Sequence, residues 1–417
     1  MGIVTCLPGQ VNGAGCVPPS KSAAHRALIA AALGNGRVEG IAHCADIDAT
    51  LQALTGLGIA ARVQGDCVSF SPAQPPERPV VDCRESGSTL RFLIPLFGVR
   101  GIGATFVGQG RLPQRPLGVY ADCLPPHGLE MQGTGGLPLT LSGRLAAGEY
   151  ALPGDVSSQF LTGLLFALPL CDKDSILRLT TPLESAGYVD MTLRTLRQAG
   201  IRINTVDGGW EIPGGQTYRP VTYVVEKDWS QAAFFLAAGA IGGRVAVRGL
   251  DAASAQGDRA VVEILRRFGA GIDERDGQVV CHRRRLTGIT IDAAQIPDLV
   301  PILAVVGAYA QGETRIVGGA RLRIKESDRL SAVADGLRRL GADVTEYPDG
   351  LSIRGGSPLK GGFVRGYNDH RIVMSMAVAA LGCIHAVSIT DPQSVDKSWP
   401  TFFSDFGEIG GQTIWHR

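Results

Sequence analysis

Val262-Glu-Ile-Leu-Arg-Arg-Phe-Gly269-Ala is one of six similar stretches that recur along the chain at intervals of about seventy residues. Each has an apolar residue four positions before a glycine, as the buried face of a helix requires, and a short alternating strand after it. The glycine is typical of a helix C-cap, where the backbone turns left-handed. The period therefore predicts six structural units, whose helices end at Gly58, Gly128, Gly200, Gly269, Gly341 and Gly407.

A second turn follows each of the first five glycines by seven to nine residues and predicts a β-hairpin. Short apolar strands follow these turns, such as Val279-Val280-Cys281 and Leu351-Ser-Ile353. Each unit is therefore expected to contain a helix and a hairpin, with about forty more residues for a further strand and helix. The predicted turns are Gly65-Asp66, Gly135-Gly136, Asp207-Gly208, Asp276-Gly277 and Asp349-Gly350.

The sixth copy reaches Arg417 before a hairpin can form. The N-terminal segment 1–7 carries the apolar run Ile3-Val4 and no helix cap, so we expect it to supply the missing strand. One lobe would then contain both termini. A chain of 417 residues is also too long for one core. We therefore predict two lobes of three units each, with hinges near 15–19 and 225–229: residues 17–226, and residues 1–16 together with 227–417.

The composition is that of a globular protein, with 45% hydrophobic residues, 19% charged residues and a formal net charge of +1. Because the net charge is close to zero, we expect no nucleic-acid partner. The apolar stretches Leu161–Cys171 and Leu299–Ala310 are too short to span a bilayer, and we expect neither a membrane segment nor a signal peptide. Nine cysteines without a C-x-x-C pair predict reduced thiols in a cytoplasmic protein.

Metal-binding and nucleotide-binding patterns do not occur in the sequence. The seven histidines are scattered and form no H-x-x-x-H or Cys/His cluster. Gly101-Ile-Gly103 and Gly108-Gln-Gly110 complete neither the dinucleotide nor the P-loop pattern. We therefore expect neither a metal nor a cofactor.

The stretch Val17-Pro-Pro-Ser20-Lys21-Ser22 is typical of a helix start, with Arg26 about one turn further on. A cation beside the positive end of a helix is unfavourable unless an anion also binds there. The spacing therefore favours a carboxylate or phosphate ligand, and the alternative is a solvated basic first turn.

Two more helix starts in the first half of the chain repeat this chemistry. Ser86-Gly87-Ser88-Thr89 precedes the apolar Leu90-Arg91-Phe92, and Ser157-Ser158-Gln159 precedes an apolar run. Plain N-capping explains part of each pattern, so both interpretations stay open. Arg111-Leu-Pro-Gln-Arg115 is a basic turn between two copies of the repeat.

The second half of the chain places charged residues at similar positions. Asp298 follows Pro297 at a helix start, and 321–329 contains four cations and two acids. A solvated helix start with internal ion pairs would explain 321–329 equally well. Tyr367-Asn-Asp369-His370-Arg371 and Lys397-Ser-Trp-Pro400 each precede a helix. Together these helix starts predict a cleft for small, highly anionic ligands, because charge-assisted contacts contribute roughly 1.5–3 kcal/mol each.

At these residues the chain resembles the 5-enolpyruvylshikimate-3-phosphate synthase family over almost its full length. The most specific segments are Pro-Ser-Lys21-Ser22-x-x-x-Arg26, Val-Ser157-Ser158-Gln159-Phe-Leu-Thr, Lys325-Glu326-Ser-Asp-Arg329-Leu and Asn-Asp-His370-Arg371. The resemblance implies an α/β (α+β) fold, a two-lobed inside-out α/β barrel of six βαβαββ repeats, three per lobe. It also implies a cytoplasmic, monomeric enzyme of aromatic amino acid (chorismate) biosynthesis that needs no cofactor.

The family moves the enolpyruvyl group of phosphoenolpyruvate onto the 5-hydroxyl of shikimate 3-phosphate by addition and elimination through a tetrahedral intermediate. By position, the resemblance implies that Lys21 and Gln159 touch both substrates. The residues similar to shikimate 3-phosphate ligands are Lys21, Ser22, Arg26, Ser157, Ser158, Gln159, Ser185, Tyr188, Asp298 and Lys325. Those similar to phosphoenolpyruvate ligands are Lys21, Gly87, Arg115, Gln159, Arg329, Arg371 and Lys397.

The resemblance also implies catalytic roles. Asp298 would take the proton of the attacking hydroxyl, and Glu326 would protonate the methylene carbon. Lys21, which would contact both substrates, is the third residue with an implied catalytic role. The chain departs from the family at Arg321, where an asparagine often contacts shikimate 3-phosphate, and at Glu85-Ser-Gly-Ser-Thr-Leu-Arg91, which replaces the frequent Asn-Ala-Gly-Thr-Ala-Met-Arg. For this reason we make no prediction of glyphosate sensitivity.

Two other functions remain as alternatives. The sister enzyme that transfers enolpyruvyl to UDP-N-acetylglucosamine typically has a cysteine in the loop where this chain has Arg111–Arg115, and an asparagine where it has Ser22. A non-catalytic anion-binding homologue with a decayed site is the second alternative. The intact set of Lys21, Asp298, Glu326, Arg329, Arg371 and Lys397 argues against decay.

Overall fold

The computed structural model describes residues 2–133, 135–275 and 277–416. Within these residues no helix is long and apolar enough to cross a membrane. The α-helices are α1 (Lys21–Leu33), α2 (Ala45–Thr55), α3 (Gly87–Arg100), α4 (Gly118–Cys123), α5 (Ser158–Ala167), α6 (Ala186–Gln198), α7 (Trp229–Gly242), α8 (Val261–Phe268), α9 (Val300–Tyr309), α10 (Arg329–Arg339), α11 (His370–Ala380) and α12 (Phe402–Glu408).

The strands in this part of the chain have three to six residues each, so each sheet is small. They are β1 (Ile3–Cys6), β2 (Val11–Cys16), β3 (Arg37–Glu39), β4 (Ile59–Gln64), β5 (Cys67–Pro72), β6 (Val80–Asp82), β7 (Ala104–Val107), β8 (Leu129–Gln132), β9 (Leu139–Gly143), β10 (Glu149–Leu152), β11 (Ser175–Leu179), β12 (Asn204–Val206), β13 (Gly209–Ile212), β14 (Thr222–Val224), β15 (Gly243–Arg248), β16 (Gly271–Arg275), β17 (Gln278–His282), β18 (Thr290–Asp292), β19 (Gly312–Val317), β20 (Asp343–Tyr347), β21 (Gly350–Gly355), β22 (Gly362–Val364), β23 (Val387–Thr390) and β24 (Thr413–His416).

The chain divides into two compact units. Unit 1 comprises Met1–Ser20 and Glu226–Arg417, and unit 2 comprises Lys21–Val225. Pro19 forms a β-bridge with Lys227, and the Ser20 N–H donates to the Glu226 carbonyl at 2.7 Å. These pairs attach residues up to Ser20 to unit 1, whereas the sequence prediction drew its boundaries at 16/17 and 226/227.

Each unit contains three four-stranded sheets. In every sheet of the described residues two parallel strands lie beside an antiparallel pair. In five sheets that pair is a hairpin, as in β6-α3-β7-α4-β8-β9, and in the sixth it consists of β1 and β24. This arrangement confirms the predicted six βαβαββ repeats, three in each unit. The strand orders are β14-β3-β5-β4, β6-β7-β9-β8 and β10-β11-β13-β12 in unit 2, and β16-β17-β15-β2, β18-β19-β21-β20 and β22-β23-β1-β24 in unit 1.

The N-terminal segment completes the sixth repeat. Strand β1 pairs antiparallel with both β23 and β24, with Val4 opposite Ile389 on one side and Trp415 on the other. This confirms the prediction that the first residues supply the missing strand. Unit 2 closes in a similar way, because β14 at its end pairs in parallel with β3 near its start.

Most of the predicted turns form where the repeat places them. Five of the six glycines adopt a positive φ, and the Gly269 N–H donates to the Arg266 and Leu265 carbonyls as a helix C-cap does. The sixth assignment is wrong, because α12 continues through Gly407 and the chain turns left-handed at Gly410 instead. One hairpin turn is also displaced, since Gly350 is the first residue of β21. Met1, Asp276 and Arg417 lie outside the described residues.

Each unit has its own apolar core, and the longest central helices are buried on all sides. Every residue of α7 and of α11 is buried, and α7, α9 and α11 pack against one another in unit 1. In unit 2, α3 packs against α5. The ionisable side chains of α11, His370 and Arg371, lie at its first two residues, where the backbone N–H groups also lack helical partners.

Candidate active site

Two buried guanidinium groups meet at the first residue of α3 in unit 2. A Cβ on Gly87 would lie 2.7 Å from Arg115 Nη1 and 2.8 Å from Arg91 Nη1, so this position has no space for a side chain. Arg91 Nη1 donates to Gln159 Oε1 at 3.2 Å, and Gln159 Nε2 donates to Ser88 Oγ at 3.0 Å. The cations, the amide and the helix N-terminus together favour an anion at Gly87.

A third buried arginine of unit 2 lies one turn into α1. Arg26 donates to the carbonyl oxygens of Ser22 at 2.8 Å and Tyr188 at 2.9 Å, and to Thr192 Oγ1 at 2.8 Å. In the described part of the chain its hydrogen-bond partners are all neutral. Burial lowers the pKa of Arg26 to about 10, still well above neutral pH. Its positive charge is therefore available to an anionic ligand.

Lys21 opens α1 and forms an ion pair that the sequence did not reveal. Its Nζ lies 2.6 Å from Asp46 Oδ2, near the start of α2. The negative charge of Asp46 also offsets the unfavourable position of the Lys21 cation at a helix N-terminus. A bound anion would compete with this carboxylate for the Lys21 ammonium.

The predicted serines lie at helix starts in unit 2. Ser157 caps α5, and its Oγ accepts from the Gln159 N–H at 3.3 Å, which is the plain N-cap interpretation of this motif. Ser158 is buried directly after it. Ser185 precedes α6 in the left-handed conformation, with φ of 55°. For a residue other than glycine this backbone is costly, and strain of this kind is concentrated at ligand sites.

Arg329 at the start of α10 is the centre of a charged network in unit 1. Its side chain is 2% exposed and contacts three carboxylates: Asp298 Oδ1 at 2.9 Å, Glu326 Oε2 at 2.7 Å and Asp369 Oδ2 at 2.9 Å. Burial would lower the pKa of Arg329, but Asp369, Glu326 and Asp298 outweigh it and raise this pKa above its usual value. Arg329 is therefore part of a buried network. Arg323 and Asp328 of the same segment form a half-exposed internal ion pair, as the alternative interpretation predicted.

Asp298 lies directly before α9 and between two arginines. Its Oδ2 is 3.1 Å from Arg371 Nη2, and its backbone carbonyl accepts from Arg371 Nη1 at 3.0 Å. Burial alone would raise the pKa of Asp298, but the charges of Arg371, Lys325 and Arg329 hold it well below its usual value. Asp298 is therefore an ionised carboxylate at neutral pH, as a proton acceptor must be.

Asp369 is a central residue that the sequence prediction missed. It caps α11 by accepting from the Arg371 N–H at 2.9 Å, and it also accepts from Ser327 Oγ at 2.9 Å and from Arg329. Its side chain is 0% exposed. Its place between Asn368 and Arg371, in a motif already singled out, was the signal that pointed to it.

Two lysines complete the candidate residues of unit 1. Burial lowers the pKa of Lys325 to about 8, an effect that the carboxylates of Asp298 and Glu326 only partly offset. Lys397 is buried, and its Nζ donates to the Asn368 carbonyl at 2.5 Å, next to Asp369. Both ammonium groups thus lie at the edge of the same charged network.

Arg321 occupies the position at which the chain departs from the family. It is buried, and its guanidinium donates to the Ala294 carbonyl, in the turn that precedes Asp298. Its charge also contributes to lowering the pKa of Lys325. Arg321 therefore supports the segment that carries Asp298.

The structure brings the predicted residues into three groups of direct contacts. In unit 1, Asp298, Glu326, Arg329 and Arg371 form one network. In unit 2, Arg26 joins Ser22 and Tyr188, and Arg91 joins Gly87, Arg115 and Gln159. Lys21 contacts Asp46 instead of another predicted residue. The sequence prediction missed Asp46, Arg91 and Asp369.

The fold is that of an α/β protein, and these clusters are candidate sites for small anions, one of which holds an ionised carboxylate among its cations. Within the described residues, no three His, Cys, Asp or Glu side chains are grouped as metal ligands would be. A family model for EPSP synthase (3-phosphoshikimate 1-carboxyvinyltransferase) matches residues 7–406. The chain belongs to this family, as the motifs predicted.

Curated relatives match along nearly the whole chain. The 3-phosphoshikimate 1-carboxyvinyltransferase of Clostridium acetobutylicum is 44% identical over 418 residues, which cover 97% of this chain and 96% of that protein. The protein of the same name from Clostridium novyi is 43% identical and covers 98% of this chain and 97% of its own. Family membership therefore extends over both units.

Solved structures agree with this assignment. EPSP synthase from Acinetobacter baumannii superposes with a TM-score of 0.84 at 28% identity, and the match covers 100% of both chains. The enolpyruvyl transferase NikO from Streptomyces tendae has a TM-score of 0.80 at 18% identity, covering 100% of this chain and 98% of that one. The likeness to NikO shows a shared fold. The mixed α/β fold predicted from the repeats is therefore that of EPSP synthase.

Proposed function

We propose that this chain transfers the enolpyruvyl (1-carboxyvinyl) group of phosphoenolpyruvate to the 5-hydroxyl of shikimate 3-phosphate and releases phosphate. The observation that carries the proposal is Asp298, an ionised carboxylate that contacts both Arg329 and Arg371. Glu326 also contacts Arg329. Such a site pairs a proton acceptor with a second carboxyl group among cations that suit a phosphate. The names of the curated relatives favour shikimate 3-phosphate over a UDP-sugar as acceptor.

For shikimate 3-phosphate we propose ligands on both units. The buried Arg26, whose partners in the described part of the chain are neutral, suits the dianionic phosphate group. The helix-start serines supply further donors to phosphate or ring oxygens. The proposed set is Lys21, Ser22, Arg26, Ser157, Ser158, Gln159, Ser185, Tyr188, Asp298 and Lys325.

Phosphoenolpyruvate carries a carboxylate and a phosphate, so it needs several cations. Gly87 offers a close approach to backbone N–H groups beside two guanidinium groups. Arg329, Arg371 and Lys397 supply positive charge from unit 1. The proposed set is Lys21, Gly87, Arg115, Gln159, Arg329, Arg371 and Lys397, and we add Arg91 because its guanidinium lies beside Gly87.

The proposed chemistry has two steps. In the addition, Glu326 enters in its protonated form and gives its proton to the methylene carbon, the 5-oxygen bonds to C2, and Asp298 takes the hydroxyl proton, which gives a tetrahedral phosphoketal. In the elimination, Glu326 recovers a proton from the new methyl group, the C2–O bond to phosphate breaks, and Asp298 returns its proton to the phosphate. The arginines and lysines stabilise the anionic phosphate as it leaves, and a carboxylate stabilises positive charge at C2.

One assay separates the proposed function from its alternatives. Phosphate release from phosphoenolpyruvate is measured with shikimate 3-phosphate, with UDP-N-acetylglucosamine and with no acceptor. We expect phosphate release when shikimate 3-phosphate is the acceptor and none under the other two conditions. Release with the UDP-sugar in its place would establish the sister activity, and binding of shikimate 3-phosphate without any turnover would indicate a non-catalytic homologue.

The pKa of Lys325 predicts how binding depends on pH. Below about pH 8 its ammonium is charged and available to shikimate 3-phosphate, and above that pH it loses its proton. The affinity for shikimate 3-phosphate should therefore be constant near neutral pH and decline above about pH 8. Lys325→Arg keeps the charge at high pH, because a guanidinium titrates far above this range. Calorimetric titrations of both proteins between about pH 7 and pH 9.5 test this; a decline that persists in the arginine variant would contradict it.

We further propose that the protein is a monomer whose two units close when both substrates bind, with hinges near Gly15–Pro19 and Val225–Trp229. The proposed ligands support this, because neither unit contains all of them. We expect small-angle scattering to show a smaller radius of gyration with both ligands than with neither. An unchanged radius of gyration at saturating ligand would refute closure. The proposed location is the cytoplasm, where the nine free cysteines would stay reduced.

A further inference from the structure

A continuous row of side-chain hydrogen bonds joins three helices of unit 2. His25 Nδ1 lies 2.8 Å from Thr50 Oγ1, Thr50 Oγ1 lies 2.6 Å from Thr89 Oγ1, and Thr89 Oγ1 donates to Ser86 Oγ at 2.8 Å. All four residues are buried, with 0–1% of their surface exposed. The row starts on α1, crosses α2 and ends at the cap of α3. We call it the His25–Ser86 chain.

The direction of the protons along this chain follows from simple counting. Each hydroxyl group has one proton to donate. Thr89 gives its proton to Ser86, so it must accept from Thr50. Thr50 has then used its proton, so it must accept from His25 Nδ1. The chain therefore requires the His25 tautomer with the proton on Nδ1.

The surroundings of His25 keep it neutral. Its Nε2 is buried and has no hydrogen-bond partner among the described residues. A proton there would place an unsatisfied cation in the core, close to Lys21 and Arg26, while the ring edge faces Phe92. Burial, with the charges of Lys21 and Arg26, lowers the pKa of His25 well below its usual value. Its role is therefore that of a fixed donor.

The two ends of the His25–Ser86 chain are held by different hydrogen bonds. On α1, Arg26 is held independently by the Tyr188 carbonyl and the Thr192 hydroxyl. At the other end, Ser86 Oγ accepts both the Thr89 hydroxyl and the Thr89 N–H, and Gly87 follows it directly. Loss of the hydrogen bonds of the His25–Ser86 chain would therefore disturb the start of α3 more than it would disturb Arg26.

We propose that His25 and Thr50 are positioning residues that fix the start of α3 against α1 and so set the affinity of the Gly87 region for phosphoenolpyruvate. Neither residue touches a substrate in this proposal; both act through Ser86. The inference rests on the proposed function, because it assigns the Gly87 region to phosphoenolpyruvate. It adds a coupling between the helix that carries Lys21 and Arg26 and the loop that receives the second substrate.

Thr50→Val tests the proposal, because it keeps the shape of the side chain and removes both hydrogen bonds. We expect KM for phosphoenolpyruvate to rise about tenfold, since one or two buried hydrogen bonds are lost, while KM for shikimate 3-phosphate changes by less than about twofold. Thr50→Ser keeps the hydroxyl group and should restore most of the affinity. Thr314→Val is the matched control, because Thr314 in unit 1 is equally buried and its hydroxyl has no hydrogen-bond partner in the described structure.

A spectroscopic measurement separates positioning from general destabilisation. In protein labelled with 15N-histidine, with His25 assigned by its loss in His25→Asn, we expect a neutral ring protonated on Nδ1 at neutral pH. Thr50→Val should weaken this tautomer preference, and Thr314→Val should not.

A His25 proton on Nε2 would overturn the proposal, and so would Thr50→Val kinetics that match those of Thr314→Val. A rise of both KM values together would also reject it, because that pattern indicates a general loss of structure. Wild-type protein without turnover would refute the proposed function instead, and the tautomer measurement would still decide the His25–Ser86 chain.

Discussion

Asp298→Asn should lower kcat about a thousandfold and change the affinity for shikimate 3-phosphate far less. A positioned general base contributes rate factors of about this size, and the amide cannot accept the proton of the attacking hydroxyl. Arg371, Lys325 and Arg329 hold the pKa of Asp298 well below the usual value, so the carboxylate is ionised at neutral pH and has room for a proton. Asparagine preserves the volume of the side chain and can still accept a hydrogen bond from Arg329.

The experiment measures kcat from phosphate release and the dissociation constant of shikimate 3-phosphate by calorimetry. Asp335→Asn is the matched control, because Asp335 lies in the same unit and pairs with Arg339 at 2.8 Å on the half-exposed side of α10. We expect the control to keep full turnover. Equal losses of turnover and binding in Asp298→Asn would mean that the aspartate only maintains the structure.

Arg329→Met should destabilise unit 1 strongly, by about 3–5 kcal/mol, because it removes the shared cation of three acids. Asp369 is fully buried and would keep its negative charge without this partner, next to Asp298 and Glu326. Methionine replaces much of the buried volume, so the loss reports the charge more than the packing. By thermal unfolding we expect a fall in Tm of roughly 10 °C.

Arg339→Met provides the comparison for this stability measurement. Arg339 pairs with Asp335 four residues earlier on the surface of the same helix, where water screens the interaction. We expect its Tm to match the wild type. A similar fall in both variants would contradict the central role assigned to Arg329.

The pH dependence of this stability has a definite sign. The pKa values of Asp298 and Asp369 are lower in the folded protein than their usual values, since positive charges outweigh the effect of burial. Their contribution is therefore present above about pH 4 and is lost as the pH falls through the folded-state values. The difference in unfolding free energy between wild type and Arg329→Met should shrink below about pH 4. A difference that stays constant with pH would assign the loss to packing.

Local chemistry explains how far the architecture could be predicted from the sequence. A helix C-cap and a hairpin turn each depend on a few adjacent residues, so repeated glycines such as Gly269 reveal the unit and its count. The count in turn predicted that the first residues complete the sixth sheet, and β1 does so. Gly407 shows the limit of this reasoning, because the helix continued past a glycine that its sequence pattern marked as a stop.

Sequence patterns provided reasons to propose the residues of the candidate site one by one, but they could not predict the contacts of those residues. Helix-start chemistry and family motifs identified Asp298, Arg329 and Arg371 as separate positions along the chain. The tertiary structure decided that Arg329 meets both Asp298, 31 residues earlier, and Asp369, 40 residues later. It also brought Arg91 to Gln159, 68 residues away.

The sequence by itself therefore determined the repeat, its count and the residue types at each helix start, because these depend on neighbours in the chain. Only the tertiary structure decided which charges share a partner, because that depends on how buried helices such as α9 and α11 pack. Burial then changed the chemistry of those charges, as the low pKa of Asp298 shows. Neither the partner of a charge nor its burial is a property of any local stretch of sequence.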